Sequence, residues 1–265
     1  MVFDILEERK KGAGRTQGAQ MYTPGYFKDL GGDIEAGVMA DVICNSIMPL
    51  SAIDVGCGNG QLLKALQERG ISILGIDGTW AKDSLVIDKK YFMGRDLEKE
   101  DITQQSKYDV AICLEVAEHL NEKVAKHFIS ELCNLSDIVV FSSGKPYLSD
   151  KTHKNEQYAS YWMHLFRDNG FYPSNLIRAQ LWDKLVVPVW YKQNTILYVK
   201  ETNSRASRFP RAQLIDVIHP EKYELVTDPN KMPFDMLMPA IKALPRRVIR
   251  RLINKIKTGE PLRTK

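Results

Sequence analysis

Ser51-Ala52-Ile53-Asp54-Val55-Gly56-Cys57-Gly58-Asn59-Gly60 reads as a short apolar strand, Ala52 to Val55, that runs straight into a glycine-rich turn. Three glycines at alternate positions permit tight dihedrals and remove the Cβ atoms that would keep a ligand away from the backbone. The spacing downstream predicts a helix over about Gln61 to Arg69, with Leu62, Leu63 and Leu66 facing inward and Gly70 as the stop. A second apolar strand, Ile71 to Ile76, then ends at Asp77. Strand, turn, helix and strand in this order make one unit of a parallel sheet, whose crevice lies at the carboxyl ends of its strands.

Working outward, Gly31 to Pro49 predicts a helix through Ile34, Val38, Met39, Val42 and Ile43. A third strand is expected at Leu85-Val86-Ile87, followed by a loop around Gly94-Arg95-Asp96-Leu97. Tyr108–Leu114 and Ile138–Phe141 are further strands, with helices over about His119–Leu135 and Tyr158–Asn169. Ile177–Leu185 and Thr195–Val199 complete the strand candidates; with no clear helix between them, they are expected to pair as an antiparallel hairpin at the sheet edge. Short continuous apolar strands alternating with helices imply a mostly parallel sheet covered on both faces.

The chain has 265 residues, 44% apolar and 26% charged, in the range of an ordinary globular protein. No apolar run approaches the length of a membrane-spanning helix. The start, MVFDILEERKK, places charges where a signal peptide has its apolar core, so a cytoplasmic protein is expected. Cys44, Cys57, Cys113 and Cys133 show no Cys-x-x-Cys pairing and are read as reduced and mostly buried, without a zinc site.

The glycine spacing separates two kinds of ligand. A dinucleotide fingerprint is Gly-x-Gly-x-x-Gly, shaped around a pyrophosphate. Here the third glycine comes one residue early, and Asp54 precedes the first by two. A carboxylate beside the loop disfavours a pyrophosphate and suits the cationic amino-acid half of S-adenosylmethionine. Asp77 is placed to accept both hydroxyls of a ribose.

With these motifs, roughly Tyr22 to Lys200 resembles the class I S-adenosylmethionine-dependent methyltransferases. The resemblance implies a Rossmann-like α/β fold: a mostly parallel seven-stranded sheet, an antiparallel last strand and helices on both faces. It assigns Asp54, Gly56, Cys57, Gly58 and Gly60 to the methionine part of the cofactor and Asp77 to the ribose, with Gly78 also among the cofactor-binding residues. Asp96-Leu97 is similar to the adenine-contacting loop, and Leu114-Glu115-Val116-Ala117-Glu118-His119-Leu120 to the segment under the cofactor.

Transfer to a hydroxyl needs a base, and His153 is the candidate, in the polar loop Ser149–Gln157 after the strand Ile138–Phe141. Glu156 is expected to orient it or to bind a substrate hydroxyl. The stretch His153–Phe171, with Tyr161-Trp162, and Val187-Pro188-Val189-Trp190-Tyr191-Lys192-Gln193-Asn194 resemble a subgroup that modifies glycans or natural products. In that resemblance Tyr161 and Trp162 flank the acceptor, a small molecule or sugar; ordinary packing accounts equally for Trp162 and Trp190. Glu115, Glu118 and His119 resemble a metal-binding stretch of some quinone-biosynthetic O-methyltransferases. His119 is instead read as structural, and no metal is assigned.

The domain reading is a lead over 1–30 that covers the cofactor, a methyltransferase domain over 31–201 and an extension over 202–265. In the extension Pro245 opens a basic amphipathic helix to Ile256. From Lys242 onward nine basic residues face one acidic residue, Glu260, so the tail carries +8 of a net +4 and the rest of the chain sums to −4. This helix is expected to pack on the core or on a partner, with peripheral contact to an anionic membrane next. A nucleic-acid methyltransferase is the competing reading, supported by the tail and Lys145. Against it, the sequence has neither an Asn/Asp-Pro-Pro-aromatic motif nor a convincing Lys-Asp-Lys-Glu set. A cofactor-binding partner protein without catalysis is the remaining alternative.

Overall fold

A computed structural model describes residues 32–104, 106–146 and 152–228. The lead over 1–30 and the predicted helix Pro245–Ile256 lie outside the described residues. The chain divides into two compact units, Met1–Val217 and Ile218–Lys265.

The first unit is built on β1 (Ser51–Val55), β2 (Ser72–Asp77), β3 (Phe92–Gly94), β4 (Val110–Leu114), β5 (Ile138–Ser142), β6 (Phe171–Ser174) and β7 (Ile196–Lys200). They form one sheet of order β3-β2-β1-β4-β5-β7-β6. β7 runs antiparallel to both its neighbours, and every other pairing is parallel. The chain steps outward from β1 to β3, then returns to begin the other half at β4. The switch point between β1 and β4 opens the crevice where α/β sheets bind ligands.

Among the described residues its α-helices are α1 (Asp33–Ile47), α2 (Gln61–Gln67), α3 (Glu122–Leu135), α4 (Ala159–Asp168), α5 (Leu176–Leu181) and α6 (Val189–Asn194). Asp33 and Glu35 sit in the first turn of α1, where carboxylates meet the positive end of the helix. Met48, left-handed at φ 53°, ends that helix by donating its N–H to the Cys44 carbonyl. Asn121 caps α3, its side-chain oxygen accepting from the Lys123 N–H at 3.1 Å.

Alternation along the central strands fills both faces of the sheet. Val110 and Ile112 of β4 and Val140 of β5 join Ile43, Ile47, Leu63 and Leu66 in one core. Ala111 and Cys113 of β4 and Phe141 of β5 join Phe128, Leu132, Phe166 and Tyr198 in the other. Phe166 and Tyr198 stack at 3.8 Å. All four cysteines are free; Cys57, Cys113 and Cys133 are buried and Cys44 is half-buried.

Two strand expectations are corrected. Leu85-Val86-Ile87 is loop, and the third strand is Phe92–Gly94. The apolar run folds back over the glycine turn instead, Val86 donating its N–H to the Asn59 carbonyl at 2.9 Å and Ile87 lying against Gly60. Ile177–Leu185 is not a strand either: Leu176–Leu181 is the helix α5, and the strand beside β7 is Phe171–Ser174. The antiparallel pair at the edge is real, but α5 and α6 lie between its strands in sequence.

Residues 202–217 strap the β6 edge. The Tyr172 hydroxyl reaches the carbonyls of Ala206 and Phe209, and the Ala212 N–H donates to the Pro173 carbonyl at 2.8 Å. Within the second unit, α7 (Pro220–Thr227) starts at His219, whose ring nitrogen accepts the Glu221 N–H at 3.3 Å. Among the described residues no helix is long and apolar enough to cross a membrane.

Candidate active site

The turn after β1 is locked to the end of β2. Gly56 and Cys57 both donate N–H groups to the Ile76 carbonyl, at 2.7 and 3.2 Å. Gly56, Gly58 and Gly60 take φ of 82°, 56° and 83°, which explains why glycine occupies all three positions. Val116, arriving from the β4 side, lies over Gly56: a Cβ there would fall 2.2 Å from Val116 Cγ2.

Asp77 holds both the turn and its own successor, accepting the Gly58 N–H at 2.7 Å through Oδ2 and the Gly78 N–H at 2.6 Å through Oδ1. Each oxygen keeps a second lone pair, so the carboxylate can still accept two ribose hydroxyls. Burial pushes its carboxyl up, and the two N–H donors oppose that.

Asp54 is 5% exposed, and among the described residues its carboxylate receives no hydrogen bond. Burial first, and the Asp77 charge second, push it up to about 8. A carboxyl group without donors offers a place for a cation, which would favour its ionised form. The ammonium of an amino-acid ligand fits that requirement, and the dense negative charge of a pyrophosphate does not.

Other assigned residues divide by what their side chains do. The Cys57 thiol turns into the core, where a Cβ on Gly75 would meet its sulfur at 2.7 Å, so only the Cys57 backbone faces the turn. Asp96 closes its own loop, bonding Lys99 Nζ at 2.6 Å and the Glu98 N–H at 3.1 Å. The Lys99 bond holds the Asp96 carboxyl below its ordinary value. Leu97 packs on the core flank, while the Arg95 N–H donates to the Asp77 carbonyl and draws this loop to the ribose side. Trp80 is a residue that the sequence reading missed. Its ring lies on Gly78, 1.9 Å from where a Cβ would sit, and it is 40% exposed beside Asp77. A tryptophan three residues past the acidic strand end was its only signal.

On the other wall, Leu114 ends β4 half-buried and Glu115 takes φ 54°, rare for a residue with a Cβ. That turn points the Glu115 N–H at Ser142 and lets its Oε1 accept from Asn194 Nδ2 at 3.3 Å. Burial pushes the Glu115 carboxyl up. Glu118 is fully buried, with Oε1 on the Gly144 N–H at 2.8 Å, and its acid form is favoured by burial and by Glu115. The Glu118 carbonyl accepts the N–H groups of Lys154 and Asn155, which ties the loop after β5 to the loop after β4.

This loop-to-loop bond brings His153 to the site. His153 Nδ1 meets Glu156 Oε1 at 2.8 Å, with side chains 15% and 19% exposed. Its Cε1 would lie 3.1 Å from a Cβ on Gly144, and its ring meets that of His119 edge-on at 4.8 Å. Glu118, His119 and His153 each offer a ligand atom, all within 4.8 Å of one another, so these three could hold a cation. Glu115 stands outside that trio. Trp162 is 2% exposed and packs on Phe141, whereas Tyr161 is half-buried and Trp190 is 44% exposed.

The sheet order, the glycine turn, the paired acids Asp54 and Asp77 and the wall beyond β4 are the fold and site arrangement of the class I S-adenosylmethionine-dependent methyltransferases. A family profile described as "Methyltransferase domain" matches residues 34–183, and the chain belongs to that family. Among curated proteins, the ubiquinone biosynthesis O-methyltransferase of Leptothrix cholodnii is 35% identical over 81 residues, 27% of this chain and 34% of that protein. The protein of the same name from Histophilus somni is 30% identical over 92 residues, 31% of this chain and 39% of that protein. The chain thus spans little more than a third of the curated relatives it matches. Among solved structures, the methyltransferase bound to the Haloferax volcanii Trm112 activator superposes with a TM-score of 0.52 at 13% identity, over 71% of this chain and 99% of that one. That likeness concerns the fold.

Proposed function

We propose that this protein transfers a methyl group from S-adenosylmethionine to a hydroxyl of a small molecule or sugar, with His153 as the base and Glu156 as the group that orients it. The observation that carries the reading is the His153–Glu156 pair, 2.8 Å apart, set beside Glu118 and Gly144 at the carboxyl edge of the sheet. With Nδ1 committed to a carboxylate, the ring presents Nε2 as the proton acceptor, and the carboxylate stabilises the charge that follows. Bound S-adenosylmethionine supplies an already activated methyl group, so the protein's task is to align an acceptor oxygen and take its proton. The O-methyltransferase names of the curated relatives favour oxygen as the acceptor atom. They leave the nucleic-acid alternative without added support.

Calorimetry and turnover test this together. The native protein binds S-adenosylmethionine one to one. Asp77→Ala weakens binding about 10- to 100-fold by removing charge-assisted hydrogen bonds, and Gly58→Arg abolishes it. His153→Ala keeps the cofactor affinity and lowers turnover about 100-fold or more; unchanged turnover removes His153 from the base role. Repeating the assay after chelation distinguishes a base from a cation ligand, because activity lost and then restored by Mg²⁺ would assign His153 to a cation with Glu118 and His119.

A further inference from the structure

Next to this site the fold buries two cations with too few partners. Arg178 of α5 is 3% exposed and Lys145, three residues past β5, is 7% exposed. One short segment anchors both: Arg178 Nη1 donates to the Ile215 carbonyl at 3.1 Å, and Lys145 Nζ to the Val217 carbonyl at 2.6 Å. Asn175 Oδ1 also takes Nη1, at 2.9 Å. The opposite side of the guanidinium, Nε and Nη2, is buried without an acceptor among the described residues.

Those two nitrogens are the parallel fork that a carboxylate or phosphate engages with two oxygens at once. The Tyr198 hydroxyl, also buried without a partner, feels the Arg178 charge. Asp216 is exposed, accepts the Ser160 N–H at Oδ1 and offsets both cations through its charge, but it bonds neither nitrogen of the fork. Burying a guanidinium with half of its donors unpaired is costly, and a fold that keeps one is poised for an anion.

We propose that Arg178 and Lys145 form the receptor for an anionic group, a carboxylate or a phosphate, carried by the methyl acceptor. Lys145 directly follows Gly144, where a Cβ would fall 3.1 Å from both His153 Cε1 and Glu118 Oε1, so the receptor and the base share one loop. Burial and the Arg178 charge pull the Lys145 ammonium down to about 8, and an anion bound between the two cations relieves both. The proposal rests on the reaction at His153 for what the anion is attached to. The anion site itself does not depend on that base.

Binding of 4-hydroxybenzoate, phenyl phosphate and the neutral 4-hydroxybenzamide to the full chain with S-adenosylhomocysteine tests it by calorimetry. The expected result is a preference of about 10-fold or more for an anion over the amide, lost in Arg178→Lys, which keeps the charge without the fork. Cofactor affinity serves as the folding control. If Arg178→Lys fails that control, Lys145→Gln and the native acid-to-amide ratio decide instead. A stronger response to phenyl phosphate than to the acid specifies a phosphorylated acceptor. Absence of any preference in the native protein, or its persistence in both variants, overturns the proposal. A preference that survives in His153→Ala while turnover there is normal keeps the receptor and discards the base.

Discussion

Asp54 carries an opposition between stability and binding on one side chain. Its pKa of about 8 in the folded protein stands against about 3.9 in an unfolded chain. Between those values the folded state holds a proton that the unfolded state has lost. The neutral acid therefore adds no penalty below about pH 4, and stability falls as pH rises from about 4 to about 8, by up to about 1.4 kcal/mol per unit. Asp54→Asn removes that slope. Its melting temperature should match or exceed that of the native protein, with a gap that widens from pH 5 to pH 8; parallel curves would show that Asp54 is ionised throughout. The cofactor reverses the sign, because a cation beside Asp54 favours the carboxylate. Binding at pH 7 should release close to one proton in the native protein and none from this position in Asp54→Asn, measured by calorimetry in two buffers of different ionisation enthalpy.

At the level of elements, the turn between β1 and α2 is held from both sides, by β2 through Ile76 and Asp77 and by the post-β4 segment through Val116. Gly56→Ala meets two penalties: a left-handed backbone costing about 1–2 kcal/mol, and overlap with Val116 Cγ2. Together about 2–4 kcal/mol of stability should be lost in urea unfolding. Adding Val116→Ala to that variant should recover the overlap but not the backbone strain, so a double-mutant cycle separates them. This turn was legible in sequence because its chemistry is local: alternate glycines between an apolar strand and a helix, and an acid at the next strand end. The misplaced elements had no such local signature. β3 is a three-residue edge strand, while the apolar run Leu85–Ile87 that mimics a strand serves to cover Gly60. β6 contains Pro173, a mark against a central strand, yet β6 is the sheet edge, where a missing N–H costs nothing. The approach of His153 to Glu118 depends on loops 35 residues apart meeting through Lys154 and Asn155, and the unfilled fork of Arg178 depends on a segment 37 residues away. Neither leaves a periodic trace in the chain.

For the molecule as a whole, charge is the property that divides it. The body through residue 241 sums to −4 and the remainder to +8, on a net of +4. A chain ending at Pro239 therefore reverses the sign of the protein while leaving the whole first unit, Met1–Val217, intact. Because the glycine turn, both acids, His153 and the Arg178–Lys145 pair all belong to that unit, the shortened chain should bind S-adenosylmethionine with native affinity and keep its preference for anionic ligands. What it should lose is attraction to anionic surfaces. Juxtaposed basic residues contribute about 1 kcal/mol each near an anionic bilayer, and salt screens that attraction. If the tail meets an anionic membrane, full-length protein sediments with phosphatidylserine-containing vesicles at low salt and dissociates at high salt, while the shortened chain stays in the supernatant. Equal sedimentation of the two would exclude the basic tail as the cause. Retention of the full-length protein in the supernatant at every salt concentration would instead exclude membrane contact and leave the packing expected from the sequence for Ile249, Leu252, Ile253 and Ile256.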